Sequence, residues 1–221
     1  MPGRHTDYIF WDNDGVLVDT EHLYFQASAE VLAEADIEIS REQFIDISLQ
    51  RGQSVFDLAR RRHSPERIDG MRQERNQRYA DLLRRGVAPM SGVTETLRQL
   101  HGRVGMAVVT SSHRDHFEII HRHTGLLEYF DFVLTREDYT HSKPHPEPYL
   151  MALARCARPA HRCLVVEDSA RGLNAAVAAG LPCVVLPGEL NGRSDLSAAK
   201  RVLTHISEIP ELVFAAPALQ G

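Results

Sequence analysis

Apolar positions along this 221-residue chain recur with two different periods, and the change of period marks its organisation. Tyr8-Ile9-Phe10-Trp11 is a continuous apolar run with the length and the aromatic, β-branched content of a buried strand. It stops abruptly at Asp12-Asn13-Asp14-Gly15. From His22 to Gly86 no strand-like run occurs and the spacing is helical. Leu23, Ala27, Val31, Leu32 and Ala35 predict a helix over 22–37, and Ser40 followed by Gln43 predicts a capped second start. Val55, Leu58 and Ala59 predict another over 54–62. Ser64-Pro65-Glu66 then opens a long polar helix that ends near Gly86.

A helical stripe of Val93, Leu97 and Leu100 follows, and then the texture changes. Strands are predicted over 104–110, 132–135, 163–166 and 183–186, with helices over 114–123, 148–157 and 172–179 between them. Such alternation implies a parallel sheet with crossover helices, and the first strand belongs to the same sheet. The expected architecture is α/β. Residues 1–20 and 87–221 form the sheet-bearing core, and 21–86 form an all-helical cap inserted after the first strand.

Composition narrows the class without naming it. Hydrophobic content of 43% and charged content of 25% are ordinary for a globular chain. A formal charge of −5 argues against a general nucleic-acid binder. Arg67, Arg72, Arg75, Arg78, Arg84 and Arg85 on the long helix read as a solvated face with pairs such as Glu74–Arg78. Cys156, Cys163 and Cys183 lack metal-ligand spacing and read as reduced thiols. The 12 histidines place no H-x-x-x-H pair on a helix and read as scattered surface groups. The first residues hold no apolar leader segment, and no run approaches membrane-spanning length, so a cytoplasmic protein without a membrane partner is expected. The Ala/Pro-rich tail from Ala215 to Gly221 is expected to fray.

The chemistry gathers at the ends of the predicted strands, where open parallel sheets bind ligands. If the chain stays extended through Asp14, Asp12 and Asp14 face one side roughly 7 Å apart. Two such acids suit a divalent cation, or a nucleophile with a proton-transfer partner. Thr110, Ser111 and Ser112 end the second strand, and Glu167, Asp168 and Ser169 end a later one. Ser142-Lys143-Pro144-His145-Pro146 places a lysine before a helix on a stiffened backbone. Singly, Thr110 reads as a turn hydroxyl, Lys143 as a solvated cation and Glu167-Asp168 as helix caps. Together they form a set that capping does not explain, since the acids repel one another unless a cation neutralises them.

These stretches, in this order, resemble the haloacid dehalogenase superfamily of phosphohydrolases. More narrowly they are similar to the helical-cap subgroup that includes β-phosphoglucomutase and many sugar-phosphate phosphatases. Asp12-Asn13-Asp14-Gly15-Val16-Leu17-Val18-Asp19-Thr20-Glu21 resembles the first motif, and Thr110-Ser111 the second. Lys143 in Ser-Lys-Pro-His-Pro-Glu-Pro-Tyr resembles the third, and Glu167-Asp168-Ser169 with Gly172 and Ala179-Gly180 the fourth. The resemblance covers essentially the whole chain. It implies a Rossmann-like core and Mg²⁺-dependent phosphoryl transfer through an aspartyl-phosphate. By position, Asp12 is the nucleophile and Asp14 the acid/base. Thr110, Ser111 and Lys143 hold the phosphoryl oxygens, and Mg²⁺ is held by Asp12, the Asp14 carbonyl, Asp168 and Glu167. Trp11, Asn13 and Val16 depart from the usual pattern without removing a reactive group. Asp14 itself counts against carbon–halogen chemistry, whose family members lack that acid.

The cap is expected to set the substrate, with Thr20, His22, Gln50, Arg51 and Gln53 as candidate contacts. Arg51 stands in a loop where β-phosphoglucomutase-like proteins present a basic residue to a distal phosphate; a surface loop arginine is the equal alternative. His113 either reaches substrate or caps a helix. The first expectation is a monomeric phosphatase acting on small phosphorylated metabolites, foremost sugar phosphates, with no nucleic-acid partner. A phosphosugar mutase is the runner-up, and a non-catalytic binding protein on the same fold is the third alternative.

Overall fold

The computed structural model describes residues 6–188 and 195–214; the Ala215–Gly221 tail lies outside the described residues. Six strands form one sheet: β1 (Tyr8–Trp11), β2 (Gly105–Val109), β3 (Phe132–Leu134), β4 (Cys163–Glu167), β5 (Cys183–Val185) and β6 (Arg201–Val202). Their order is β3-β2-β1-β4-β5-β6, and every pairing is parallel. The apolar first run therefore lies at the centre of the sheet. Trp11 is in register with Val108 of β2 and Val166 of β4, so the carboxyl ends of three strands open side by side. The pattern of apolar runs gave no sign of β6, a two-residue exposed strand on the sheet edge.

Strand alternation sends successive side chains to opposite faces, and both faces are covered. Ile9, Trp11, Met106, Val108, Leu164 and Val166 pack beneath α4 (Val93–Leu100), α5 (Arg114–His121) and α8 (Ile209–Phe214). Tyr8, Phe10, Ala107, Val109, Val165 and Val185 pack beneath α6 (Glu147–Cys156) and α7 (Ala170–Ala178). Each fully buried large side chain contributes about 1.5–3 kcal/mol relative to exposure. The two-sided burial explains why β1 reads as a continuous apolar run rather than an alternating one.

Between β1 and α4 the chain builds a separate helical layer: α1 (Glu21–Ala33), α2 (Arg41–Phe44) and α3 (Pro65–Leu83). Ser40 and Gln43 form the reciprocal cap that their spacing predicts, and Ser64 caps α3 with Pro65 in the first turn. This layer has its own core of Val31, Leu32, Phe44, Val55, Phe56, Ala59, Ile68 and Met71. The segment expected as a helix over 54–62 is instead a 3₁₀ turn, Val55–Arg61, preceded by a π-helical turn, Ile45–Gln50. Phe56 takes the inward position there and leaves Leu58 43% exposed. The long polar helix pairs its charges differently from the expected Glu74–Arg78. Arg67 reaches Glu74 at 2.6 Å, and Arg78 crosses to Glu34, the residue that follows α1, at 2.6 Å. Arg75 lies over the Tyr24 ring, 4.4 Å from its centroid.

The helical layer leaves and rejoins the core at one place. Val18 and Pro89 form an antiparallel bridge, and the Met90 N–H donates to the Leu17 carbonyl at 2.9 Å. Val18, Ala27, Tyr79, Leu83 and Ile120 form an apolar seam between the layers.

Candidate active site

Three adjacent strand ends and one loop converge beneath the helical layer. Asp12 follows β1 directly, its N–H still bonded to the Val166 carbonyl of β4 at 2.9 Å. Glu167 is the last residue of β4, and Asp168 follows it. Lys143 comes from the loop before α6 and inserts its ammonium between these acids. Its Nζ donates to Asp12 Oδ1 at 2.7 Å, to Glu167 Oε1 at 2.6 Å and to the Val109 carbonyl at 2.8 Å. Lys143 is only 5% exposed and Glu167 1%, so this ammonium and these carboxylates are held away from water.

Burial pushes the Asp12 carboxyl up to about 8; Lys143 opposes the rise, and Glu167 adds to it. Burial also raises Asp168 well above the usual carboxylate range, with Asp12 and Glu167 contributing. Lys143 is raised because Asp12 and Glu167 outweigh the opposing effect of its own burial. With all three acids ionised the balance is three carboxylates against one ammonium, and the raised Asp12 and Asp168 reflect that surplus of negative charge, which a divalent cation would offset. Asp12, Glu167 and Asp168 bring ligand oxygens to within 4.8 Å of one another. Hard oxygen donors with space for waters are what Mg²⁺ requires, so the residues present fit that ion. The backbone beside them fits too. Gly15 has φ +80°, and a Cβ there would lie 2.2 Å from Asp168 Oδ2. A Cβ on Gly172 would lie 1.8–2.0 Å from the Glu167 carboxylate. Both positions exclude a side chain.

Asp14 is held by hydroxyls. Thr20 Oγ1 donates to its Oδ1, and Ser112 Oγ donates to its Oδ2 at 2.5 Å. Thr110 Oγ1 lies 3.4 Å from the same Oδ2 and accepts from the Ser112 N–H at 3.0 Å. Behind this loop, buried Asn13 accepts from His121 Nε2 at 2.7 Å, while His121 Nδ1 accepts from the Thr124 hydroxyl at 3.0 Å. That arrangement uses a neutral imidazole protonated on Nε2. Burial drives His121 down to about 4, against a smaller opposing effect of Asp14.

A cavity of about 420 Å³ opens over these groups and is roofed by the helical layer. Asp12, Asp14, Thr20, Thr110, Ser111, Lys143, Glu167 and Asp168 all line it. Of the other expected contacts, Gln53 and His113 line it as well. His22, Gln50 and Arg51 lie outside the lining. His22 is exposed beside Asp19 at 3.4 Å, and Arg51 is exposed and paired with Asp46 at 2.8 Å. Burial pushes Glu21, at the cavity wall, up to about 7, with Asp14 and Asp19 adding to the effect.

Two residues, Tyr149 and Arg171, join the site that strand-end spacing did not single out, and Ser112, named at the end of the second strand without a role, joins it too. The Tyr149 hydroxyl donates to Glu167 Oε1 at 2.6 Å from the first turn of α6. Ser112 reaches Asp14 two residues beyond Thr110. The Arg171 guanidinium donates to the Lys143 carbonyl and lines the cavity where Gly52 of the helical layer approaches it. Tyr149 carried a signal, an aromatic closing the Lys143 segment. Ser112 was marked only by its place at the strand end, and an arginine opening a helix carried no signal.

Comparison with known proteins agrees with this arrangement. A family profile described as haloacid dehalogenase-like hydrolase matches residues 9–186. The fructose-1-phosphate phosphatase YqaB of Escherichia coli K12 is 29% identical over 188 residues, covering 83% of this chain and 97% of that protein. The phosphorylated carbohydrates phosphatase of Thermotoga maritima is 29% identical over 210 residues, covering 91% and 95%. The crystal structure of CbbY from Rhodobacter sphaeroides in complex with phosphate superposes with a TM-score of 0.81 at 26% identity, covering 92% of this chain and 96% of that one. With its profile match, its central β1 and its acid-lined strand ends, the chain belongs to the haloacid dehalogenase-like hydrolase family.

Proposed function

We propose that the protein is a Mg²⁺-dependent phosphatase of small phosphorylated metabolites, foremost sugar phosphates, working through a phosphoryl group carried on Asp12. The observation that carries this reading is the Lys143 ammonium shared between Asp12 Oδ1 and Glu167 Oε1 at the floor of the cavity. It orients Asp12 and leaves Oδ2 as the oxygen for attack. It also supplies a cation that offsets repulsion between a carboxylate and an anionic phosphate. The names of the two phosphatase relatives, both acting on phosphorylated sugars, support the substrate class.

In the first half-reaction Asp12 Oδ2 attacks phosphorus, the bond to the substrate oxygen breaks, and Asp14 gives its proton to the departing alkoxide. In the second, Asp14 takes a proton from water, the water oxygen attacks phosphorus, and Asp12 leaves as a free carboxylate with release of phosphate. Ser112 and Thr20 hold Asp14 in place for both transfers. Thr110 and Ser111 offer hydroxyl and backbone donors to phosphoryl oxygens at the end of β2. Mg²⁺ held by Asp12, Glu167, Asp168 and the Asp14 carbonyl would supply charge neutralisation at the phosphoryl oxygens. The helical layer covers the reacting groups with Tyr24, Phe44, Gln53 and Tyr79 and leaves the cavity open to the water that the second step consumes. Arg51, the candidate contact for a distal phosphate, is exposed and pairs with Asp46 at 2.8 Å outside the cavity lining, so the mutase alternative draws no support from it.

Phosphate release from a panel of phosphomonoesters, with and without Mg²⁺, tests the proposal. Fructose 1-phosphate and glucose 1-phosphate belong in the panel, with Asp12→Asn as control. Mg²⁺-dependent release that the substitution abolishes is the expected result. Isomerised product with little free phosphate, or no reaction in folded protein, would overturn it.

A further inference from the structure

Outside the cavity, two imidazoles and a carboxylate converge on the segment that presents Lys143. His141, His145 and Glu147 each bring a ligand atom to within 4.8 Å of the others. We propose that they form a second cation site, which takes a borderline transition-metal ion of the Zn²⁺ class and is separate from the carboxylates around Asp12.

The three side chains are already held toward one another. Glu147 opens α6, and its Oε1 accepts from the Thr140 N–H at 2.9 Å. Its Oε2 accepts from the His141 N–H at 2.9 Å and from His141 Nδ1 at 2.7 Å. Those bonds, the Thr140 N–H first, hold Glu147 down at about 2, so it offers a carboxylate at any working pH. His145 Nδ1 lies 3.9 Å from the same Oε2 and accepts from the Glu147 N–H at 3.2 Å. The Nδ1 lone pair is therefore engaged by that N–H and becomes available to an ion once this bond is released. The two rings stand 4.6 Å apart, tilted by 34°. On metal binding His145 gives up the Glu147 N–H, and His141 changes its protonation. A neutral ring shifts its proton from Nδ1 to Nε2, and a protonated ring also releases one proton to water.

Donor chemistry separates this cluster from the site in the cavity. The Asp12, Glu167 and Asp168 group offers only carboxylate oxygens, which suit Mg²⁺. Two imidazole nitrogens and one carboxylate suit Zn²⁺, with water completing a tetrahedron. Tetrahedral donors at Zn²⁺ distances stand about 3.3 Å apart, a small contraction for two exposed histidines. The ion would tie His141 to Glu147 across a segment whose interior residue, Lys143, bonds Asp12 and Glu167. Occupancy would thus stiffen the segment from which Lys143 reaches the floor of the cavity.

The experiment is a calorimetric titration of untagged, Mg²⁺-saturated enzyme with Zn²⁺, repeated with Co²⁺ and read by visible absorption. One Zn²⁺ per chain is expected, with a Co²⁺ absorption band of low-coordinate type. His141→Ala and His145→Ala should each weaken binding by about tenfold or more, with circular dichroism checking that each variant is folded. Asp12→Asn should leave Zn²⁺ affinity unchanged. Absence of uptake at micromolar Zn²⁺, uptake indifferent to both histidine substitutions, or uptake removed by Asp12→Asn would each overturn the proposal.

Discussion

The Tyr149 hydroxyl and the Lys143 ammonium share one acceptor, Glu167 Oε1, each at 2.6 Å. An acid that is 1% exposed is thereby fixed from two sides. Tyr149→Phe removes one donor and keeps the ring that fills the core. The expected outcome is a modest loss of stability, about 1 kcal/mol, with a larger effect on metal. Outer partners of ligating carboxylates typically contribute about 10–100-fold in affinity or activity. Urea unfolding measures the first quantity, and Mg²⁺ activation curves measure the second. An unchanged Mg²⁺ requirement would show that Lys143 alone positions Glu167.

Gly172 gives a sharper test of the same carboxylate. Gly172→Ala places a Cβ 1.8–2.0 Å from Glu167 atoms, so the acid must move. Activity at moderate Mg²⁺ should fall by about a hundredfold, with partial recovery at high Mg²⁺. Gly70→Ala is the control. It lies in α3, where the nearest atom to a new Cβ is Arg67 Nη1 at 3.7 Å. Helix propensity predicts a gain of about 0.5–1 kcal/mol there with kinetics unchanged. Equal behaviour of the two variants would mean that Glu167 readjusts freely.

Ser112→Ala removes the 2.5 Å donor to Asp14 Oδ2 while leaving Thr20 on Oδ1. A loosened acid/base slows proton transfer without weakening substrate binding. A fall in kcat of about tenfold at constant KM is expected, within the usual contribution of positioned proton transfer. Steady-state kinetics on the best substrate of the panel decides it. A rise in KM with kcat intact would place Ser112 in substrate binding.

His121 makes stability depend on pH. Burial lowers its pKa from the ordinary 6.5 to about 4. The unfolded chain therefore takes up a proton first as the solution is acidified. Stability is intact above pH 6.5 and is lost as pH falls through 4, by an amount on the order of 3 kcal/mol. The comparison of wild type with His121→Gln isolates this contribution, because the other acids titrate alike in both. The difference in urea midpoints between them should shrink steadily from pH 7 to pH 4. A difference independent of pH would remove the imidazole from the account.

Much of this architecture could be read from the order of residues. The alternating runs after Val104 announced a parallel sheet, and β1 announced its burial by being apolar on both faces, while its central place came from the structure. Asp12, Asp14, Lys143, Glu167 and Asp168 were legible because acids and a lysine at strand ends have few structural reasons to coexist. Arg171, and the bond of Ser112 to Asp14, were not, since their neighbours come from distant segments and their residue types are common in turns and on helices. The helical layer was read less well than the sheet. Phe56 displaced Leu58 from its core, and Arg78 found Glu34 across helices rather than Glu74 along its own. His141 and His145 illustrate the same limit, because a loop rather than a helix brings them to one carboxylate.

The bridge between Val18 and Pro89 has a consequence for how such a protein diversifies. Seventy residues of chain depart and return through two points already bonded to each other. The sheet strands, the strand-end acids and the Lys143 segment all lie outside this stretch, and Thr20 at its start is the residue that reaches back to Asp14. A transplanted roof of different length would meet the same pair of fixed ends, and lengthening a tethered excursion costs little, about 0.6 kcal/mol per doubling. On the proposed function, substrate choice would fall to this excursion and bond-breaking chemistry to the sheet, two parcels of sequence joined at a single seam and by the reach of Thr20 to Asp14.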